Sequence, residues 1–135
     1  MKMTHESDAE RVLREDYGWY EGIAKAAVES KGHCTYCGED LLGSAVAYSA
    51  MQMDHLLPKS QYPKLALNTV NHVLCCFSCN GMKGAFDPAE EGEIFGEESV
   101  VALKSELIGR VKVHLVQKIK DREREWQDVI SHIRC

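Results

Sequence analysis

Two short stretches, Cys34-Thr35-Tyr36-Cys37 and Cys76-Phe77-Ser78-Cys79, place four of the six cysteines of this 135-residue chain in matching pairs. Two residues between the sulfurs let a tight turn direct both thiolates at one tetrahedral metal ion, and two such turns fill its four positions. The alternative is a pair of redox-active motifs, which would need a βαβ pattern that the surrounding sequence lacks. We therefore predict a structural zinc site formed by Cys34, Cys37, Cys76 and Cys79.

The composition is that of a folded, globular protein. Hydrophobic residues make up 44% of the chain and charged residues 27%, which is unlike a disordered segment. No run of apolar residues approaches the ~20 that span a bilayer, and residues 1–8 lack the apolar core of a secretory signal. We expect a cytoplasmic protein, in which the unmatched Cys75 is a small buried side chain and Cys135 a terminal residue.

The net charge of −5 is distributed unevenly along the chain. Residues 86–98 alone carry −6, whereas residues 99–135 carry +3. A net negative charge disfavours binding to nucleic acid, but the basic last segment could form a local site for a polyanion.

The hydrophobic pattern divides the single domain, residues 1–135, into four parts and predicts an α+β fold. Ser7 and Glu10 form a capping box that begins a helical N-terminal region, which breaks near residues 17–18. A small core of two strands and a short helix follows, with the first strand read from residue 45 to 55, the second at 73–75 and the helix at 79–83. The four parts are residues 1–32 (helical), 33–85 (zinc-braced core), 86–98 (acidic connector) and 99–135 (C-terminal helix).

The last part is strongly helical, since apolar residues recur there every three or four positions. We expect its apolar stripe to pack on the N-terminal helices or on a second chain. An unbroken helix over residues 99–134 would be ~54 Å long, which is longer than a small domain is wide. The helix should therefore bend, break near Gly109, or project to meet a second copy or a larger partner protein.

The residues with chemical potential lie between and just after the cysteine pairs, in three stretches. An adjacent Asp and His is common and carries little information alone. A zinc ion that joins Cys37 to Cys76 would, however, fold the intervening loop back and could set this pair beside Asn80. The stretches are Met53-Asp54-His55-Leu56-Leu57-Pro58-Lys59-Ser60, Asn71-His72-Val73-Leu74-Cys75, and Asn80-Gly81-Met82-Lys83-Gly84.

In this order and spacing, residues 33–84 resemble the HNH endonuclease family, in its form braced by a four-cysteine zinc site. The resemblance implies a ββα-metal fold and a metal-dependent hydrolysis of nucleic acid, with DNA as the first choice, to 5′-phosphate and 3′-hydroxyl ends. By position, it implies that Asp54 and Asn80 are metal ligands and that His55 is the general base. Asn71 would pin the loop. Lys59 and Lys83 would contact nucleic acid.

One departure from the family pattern concerns the metal. Asn80 stands where many relatives have His, and its amide offers a neutral oxygen. Together with Asp54 it would form an oxygen-rich, incomplete ligand shell that suits Mg²⁺ or Mn²⁺. His72 could be a spare ligand, but its place directly after Asn71 predicts a side chain on the opposite face of the strand.

Two other functions stay open. A non-catalytic zinc module that binds nucleic acid or protein would explain the cysteines and the basic helix, but it leaves Asp54, His55 and Asn80 without a role. A nuclease subunit that docks through its long helix on a larger complex is compatible with the first reading.

Overall fold

A two-stranded antiparallel sheet carries the residues that the sequence singles out, in a computed structural model that describes residues 6–134. Strand β1 (Gln52–His55) pairs with β2 (His72–Cys75), in a register that sets His55 opposite His72. Helix α4 (Phe77–Lys83) follows β2 directly, and this strand–loop–strand–helix order confirms the predicted α+β fold with its ββα unit. The other helices are α1 (Asp8–Asp16), α2 (Glu21–Ser30), α3 (Ala45–Ser49) and α5 (Glu97–Ile133).

From residue 6 onward, the N-terminal region forms two helices that separate near the predicted break at residues 17–18. The Ser7 hydroxyl accepts a hydrogen bond from the Glu10 backbone N–H at 3.1 Å and so caps α1. Gly18, with φ of +72°, makes the turn between the two helices, because glycine adopts this left-handed conformation without strain. Lys31 and Gly32, both at positive φ, end α2. Cys135 lies outside the described residues.

The predicted strand over residues 45–55 is wrong in its first half. Residues Ala45–Ser49 form helix α3, and the strand begins only at Gln52. The helix begins because the Ser44 hydroxyl accepts a hydrogen bond from the Ala47 N–H at 3.0 Å, which is the arrangement of a helix N-cap. The apolar residues that suggested a long strand therefore belong to two short elements.

The four matched cysteines come together as predicted. Their sulfur atoms all lie within 4.8 Å of one another, and the sulfurs of Cys37 and Cys76 are 3.8 Å apart. Four thiolates at the usual zinc–sulfur distance of ~2.3 Å also lie ~3.8 Å apart. The donor set and its spacing therefore fit a zinc ion. Without a metal ion, hydrogen bonds from Cys76 and Cys79 lower the pKa of Cys34, whereas burial raises the pKa of Cys37 to about 12 and the hydrogen bond with Cys34 raises the pKa of Cys79.

A buried ion pair joins α4 to β1. The Lys83 side-chain nitrogen lies 3.1 Å from Oδ2 of Asp54 and donates to the His55 carbonyl at 2.9 Å. The Tyr36 hydroxyl donates to the same carboxylate oxygen at 2.6 Å. Asp54 is 6% exposed and Lys83 is 3% exposed. Because charges buried to this extent need partners, the pair fixes the helix on the strand.

Helix α5 is continuous through Gly109 and projects, which is one of the outcomes expected from its length. Its 37 residues at ~1.5 Å each extend about 55 Å. The buried residues are Val100, Leu107, Val111 and Leu115, and they pack on α4 and on the 3₁₀ turn Thr69–Asn71. An ion pair between Lys104 and Glu29 reaches α2. Beyond these, exposed apolar side chains continue at Trp126, Val129 and Ile133.

The acidic connector is tied to α5 by a cluster of charges. Arg110 contacts Glu93 at 2.7 Å, Glu106 at 3.2 Å and Glu90 at 3.5 Å. Its guanidinium also donates to the Pro88 carbonyl at 3.1 Å.

No helix among residues 6–134 is both long and apolar enough to cross a membrane.

Replacement of Cys37 or Cys76 by serine should abolish zinc binding and with it the folded state. The reason is that a structural zinc ion joins the turn of the first cysteine pair to the start of α4, so its binding free energy contributes to folding. Elemental analysis should find one zinc ion per wild-type chain and none in either variant, and circular dichroism should show loss of the cooperative melt. Cys75→Ser is the control, because Cys75 is buried outside the cluster. It should keep its zinc and lose about 1–3 kcal/mol of stability. A zinc-free wild-type protein that is folded would contradict this prediction.

Replacement of Lys83 by methionine should destabilise the fold by about 3–5 kcal/mol, because it leaves the Asp54 carboxylate buried without its cation. Urea unfolding measures the loss. Combining Lys83→Met with Asp54→Asn should recover part of it, since the second change removes the unpaired charge. If Lys83→Met unfolds at the wild-type urea concentration, the internal ion pair does not exist as described.

Candidate active site

The imidazole of His55 lies at the end of β1 and is oriented by one backbone carbonyl. Its Nε2 atom is 2.9 Å from the oxygen of Ala66. A carbonyl oxygen can only accept, so this contact requires a proton on Nε2. In the neutral ring the other nitrogen, Nδ1, then carries a free lone pair. His55 is half-buried, which combines a fixed ring with access from solvent.

Asn71 holds the loop that leaves His55. Its side-chain oxygen accepts from the Leu57 N–H at 2.8 Å, and its side-chain nitrogen donates to the Leu57 carbonyl at 2.9 Å. Its own carbonyl accepts from the Leu56 N–H at 2.9 Å. The residue is fully buried. These hydrogen bonds fix the backbone at Leu56 and Leu57.

A cleft of about 560 Å³ opens beside His55. Lys59, which is exposed, places a positive charge in its wall, and Glu21 contributes a negative one. The rest of the wall is largely apolar and includes the exposed side chains of Tyr20 and Leu67. The cleft is wide enough for a nucleotide-sized group to approach the His55 ring.

Asp54 and His55 are neighbours in sequence but face different parts of the molecule, since side chains alternate along a strand. The carboxylate of Asp54 turns toward Tyr36 and Lys83, whereas the His55 ring turns toward Ala66 and the cleft. Burial, followed by the charge of Asp54, raises the pKa of Tyr36 well above its ordinary value. Tyr36 therefore stays a hydrogen-bond donor at neutral pH.

Asn80 lies on α4 one turn before Lys83, so the two side chains share the face of the helix that meets β1. Within residues 6–134, its amide makes no hydrogen bond, and no hydrogen bond joins it to Asp54 or His55. Oδ1 of Asp54 also accepts none, while Oδ2 has two donors. One carboxylate oxygen and one amide oxygen thus remain available. Two oxygen donors completed by water and phosphate suit Mg²⁺ or Mn²⁺, so these residues fit such an ion.

The two lysines expected to contact nucleic acid have different surroundings. Lys59 is exposed in the cleft wall. Lys83 is enclosed, and its ammonium group is already bonded to Asp54 and to the His55 carbonyl. In this arrangement Lys83 supports the site from inside and does not offer its charge to a phosphate at the surface.

His72 is a candidate that the sequence analysis set aside. Its ring lies on the same side of the sheet as His55, with 5.1 Å between ring centres and an interplanar angle of 88°. Burial lowers the pKa of His72, which favours the neutral ring. The signal in the sequence was the hairpin itself: one strand ends at His55 and the next begins near His72, so antiparallel pairing sets the two rings opposite each other.

Comparison with known proteins agrees with this picture over part of the chain. The sequence model described as HNH endonuclease matches residues 34–86. The Septu protein PtuB of Bacillus thuringiensis is 40% identical over 62 residues, which cover 46% of this chain and 23% of that protein. The chain therefore spans less than a quarter of this relative. No solved structure matches significantly.

The family match covers both cysteine pairs, the Asp54-His55 pair, Asn71 and Asn80. It thus coincides with the ββα unit that the structure builds around these residues. Residues 34–86 therefore match the HNH endonuclease family, which confirms the resemblance found in the sequence.

Proposed function

We propose that this chain is a metal-dependent endonuclease that hydrolyses phosphodiester bonds of nucleic acid, with DNA as the substrate. The observation that carries the proposal is the His55 ring, held by the Ala66 carbonyl at 2.9 Å with Nδ1 free beside an open cleft. The HNH family match supports the same reaction class.

His55 is the general base in this proposal. A neutral imidazole can take a proton from water. The Ala66 carbonyl keeps the ring in the form whose Nδ1 accepts that proton. Asn71 holds the loop on the other side of His55, so that the ring does not depend on a flexible segment for its position. The products would carry a 5′-phosphate and a 3′-hydroxyl, as in the family.

Asp54 and Asn80 would hold the divalent ion through the oxygens that have no other partner. A bound Mg²⁺ or Mn²⁺ would supply a positive charge to the scissile phosphate and to the leaving oxygen. Asp54 is oriented for this by Tyr36 and Lys83, which occupy its second oxygen. The structural role of the zinc ion is separate, because four thiolates leave it no open position for water.

Positive charges lie near α4 as a nucleic-acid partner requires. Lys118 and Arg122 of α5 reach across to α4, where they bond to the Met82 carbonyl at 3.2 Å and to the Ser78 hydroxyl at 3.3 Å. Lys59 adds a charge in the cleft. The basic part of the chain is therefore on the helix that packs beside the site.

The setting of the nuclease is part of the same proposal. Reduced cysteines are the form that holds zinc, which favours a cytoplasmic location. The exposed apolar side chains near the end of α5 fit contact with a second copy of the chain or with a larger partner protein.

Replacement of His55 by alanine should lower the cleavage rate about 10²–10⁴-fold, which is the usual effect of removing a general base. Plasmid or oligonucleotide cleavage with Mg²⁺ or Mn²⁺ measures the rate. Zinc content, melting and DNA binding should stay at wild-type values, because one half-buried side chain is removed. His132→Ala, at the far end of α5, is the control. Equal cleavage by His55→Ala and wild type, in preparations free of other nucleases, would favour the non-catalytic zinc module.

Replacement of Asn80 by alanine should raise the Mg²⁺ concentration needed for half-maximal cleavage, and excess metal should restore part of the rate. EDTA should stop cleavage before it removes the thiolate-bound zinc. Gly81→Ala is a matched control on the same helix, because a Cβ there would meet no atom within 4 Å. An unchanged metal requirement in Asn80→Ala would exclude Asn80 as a ligand. Asp54 is less suited to this test, since its removal also leaves Lys83 unpaired.

A further inference from the structure

One backbone carbonyl binds two histidines. Nε2 of His72 lies 2.9 Å from the Ala66 oxygen, the same distance as Nε2 of His55. A carbonyl oxygen has two lone pairs and can accept both bonds. Among residues 6–134, no backbone N–H donates to this oxygen. Within these residues, the two imidazoles are therefore the hydrogen-bond donors to the Ala66 carbonyl.

His72 is placed in an unfavourable way for a side chain with only a packing role. It is 6% exposed, and its Nδ1 atom is buried without a hydrogen-bond partner. A buried polar atom of this kind calls for an explanation, since an apolar side chain of similar size would avoid it. The contact that His72 gains in return is the hydrogen bond to Ala66.

The space around the His72 ring is closed by α2. Gly22 lies so near that a Cβ there would be 2.2 Å from Nδ1 of His72 and 2.9 Å from its Cε1. The ring thus has Gly22 on one side and the edge-to-face contact with His55 on the other. It cannot turn without displacing one of them.

We propose that His72 is a positioning residue for His55, and that it acts by holding the Ala66 carbonyl where this group selects the Nε2-protonated form of the His55 ring. The inference rests on the proposed function, in which Nδ1 of His55 must be free to accept a proton. Without His72, the carbonyl keeps one donor instead of two, and the loop that carries it can move away from His55. The His55 ring could then exchange its proton between the two nitrogens.

Three variants separate the hydrogen bond from simple packing. His72→Leu keeps the bulk of the side chain and removes the donor. His72→Gln restores an N–H at the reach of Nε2. Gly22→Ala keeps His72 but displaces its ring, because the added Cβ would lie 2.2 Å from Nδ1. His132→Gln, at the far end of α5, controls for the loss of a histidine elsewhere.

The readout is the protonation of each ring nitrogen of His55, measured by long-range ¹H–¹⁵N NMR on the zinc-loaded protein at neutral to alkaline pH. We expect a proton on Nε2 and none on Nδ1 in wild type, His72→Gln and His132→Gln. In His72→Leu and in Gly22→Ala, a signal of the Nδ1-protonated form should appear. In cleavage assays kcat should fall about tenfold in these two variants with little change in KM, a part of the ~10²–10⁴-fold effect of the base itself.

An unchanged His55 tautomer in folded His72→Leu or Gly22→Ala would overturn the proposal, whatever the cleavage rates are. If His72→Leu does not fold, Gly22→Ala and His72→Gln still decide the question. Because the NMR signal does not depend on activity, a wild-type protein that cleaves nothing would refute the proposed function and leave the positioning test valid.

Discussion

One buried carboxylate, that of Asp54, connects the turn of the first cysteine pair, strand β1 and helix α4. It belongs to β1, accepts from Tyr36 in the turn between the first two cysteines, and pairs with Lys83 at the end of α4. A carboxylate that is 6% exposed is tolerated only with such partners. The cysteine turn, strand β1 and helix α4 therefore pack together around this group. The four thiols lie in the same turn and at the start of α4.

The alternation of side chains along β1 then gives the site two sides. On one side, Asp54 and the α4 residues Asn80 and Lys83 form a polar region in which Lys83 already supplies a positive charge. On the other, His55 faces the cleft and the Ala66 carbonyl. Strand β1 ends at His55, so the Asp54 side and the His55 side of the site meet at that end. A divalent ion at Asp54 would lie near the Lys83 ammonium, and the repulsion would weaken its binding. A substrate phosphate would offset this repulsion.

The sequence predicted the parts of this fold that depend on local chemistry. The spacing of the cysteines identified the four-thiol cluster, Ser7 and Glu10 identified the start of α1, and the periodicity after residue 99 identified α5. It did not predict α3, because the apolar content of residues 45–49 resembles a strand, although Ser44 is of the residue type that caps a helix. The burial of Lys83 and the pairing of His72 with His55 were missed for other reasons. The first depends on how α4 packs on β1, which a one-dimensional pattern does not contain. The second follows from the register of β1 and β2, which the predicted strand ends did not determine.

In the proposed function, Asp54 and Asn80 of the ββα unit would hold a divalent ion for catalysis. Anomalous diffraction from crystals grown with Mn²⁺ and an uncleaved oligonucleotide tests it most directly. The account predicts a manganese peak in contact with Oδ1 of Asp54 and the Asn80 amide oxygen, with the scissile phosphate between the ion and the His55 ring. A peak only at other residues, or no peak while Asn80 stays unliganded and nucleic acid is bound elsewhere, would contradict it.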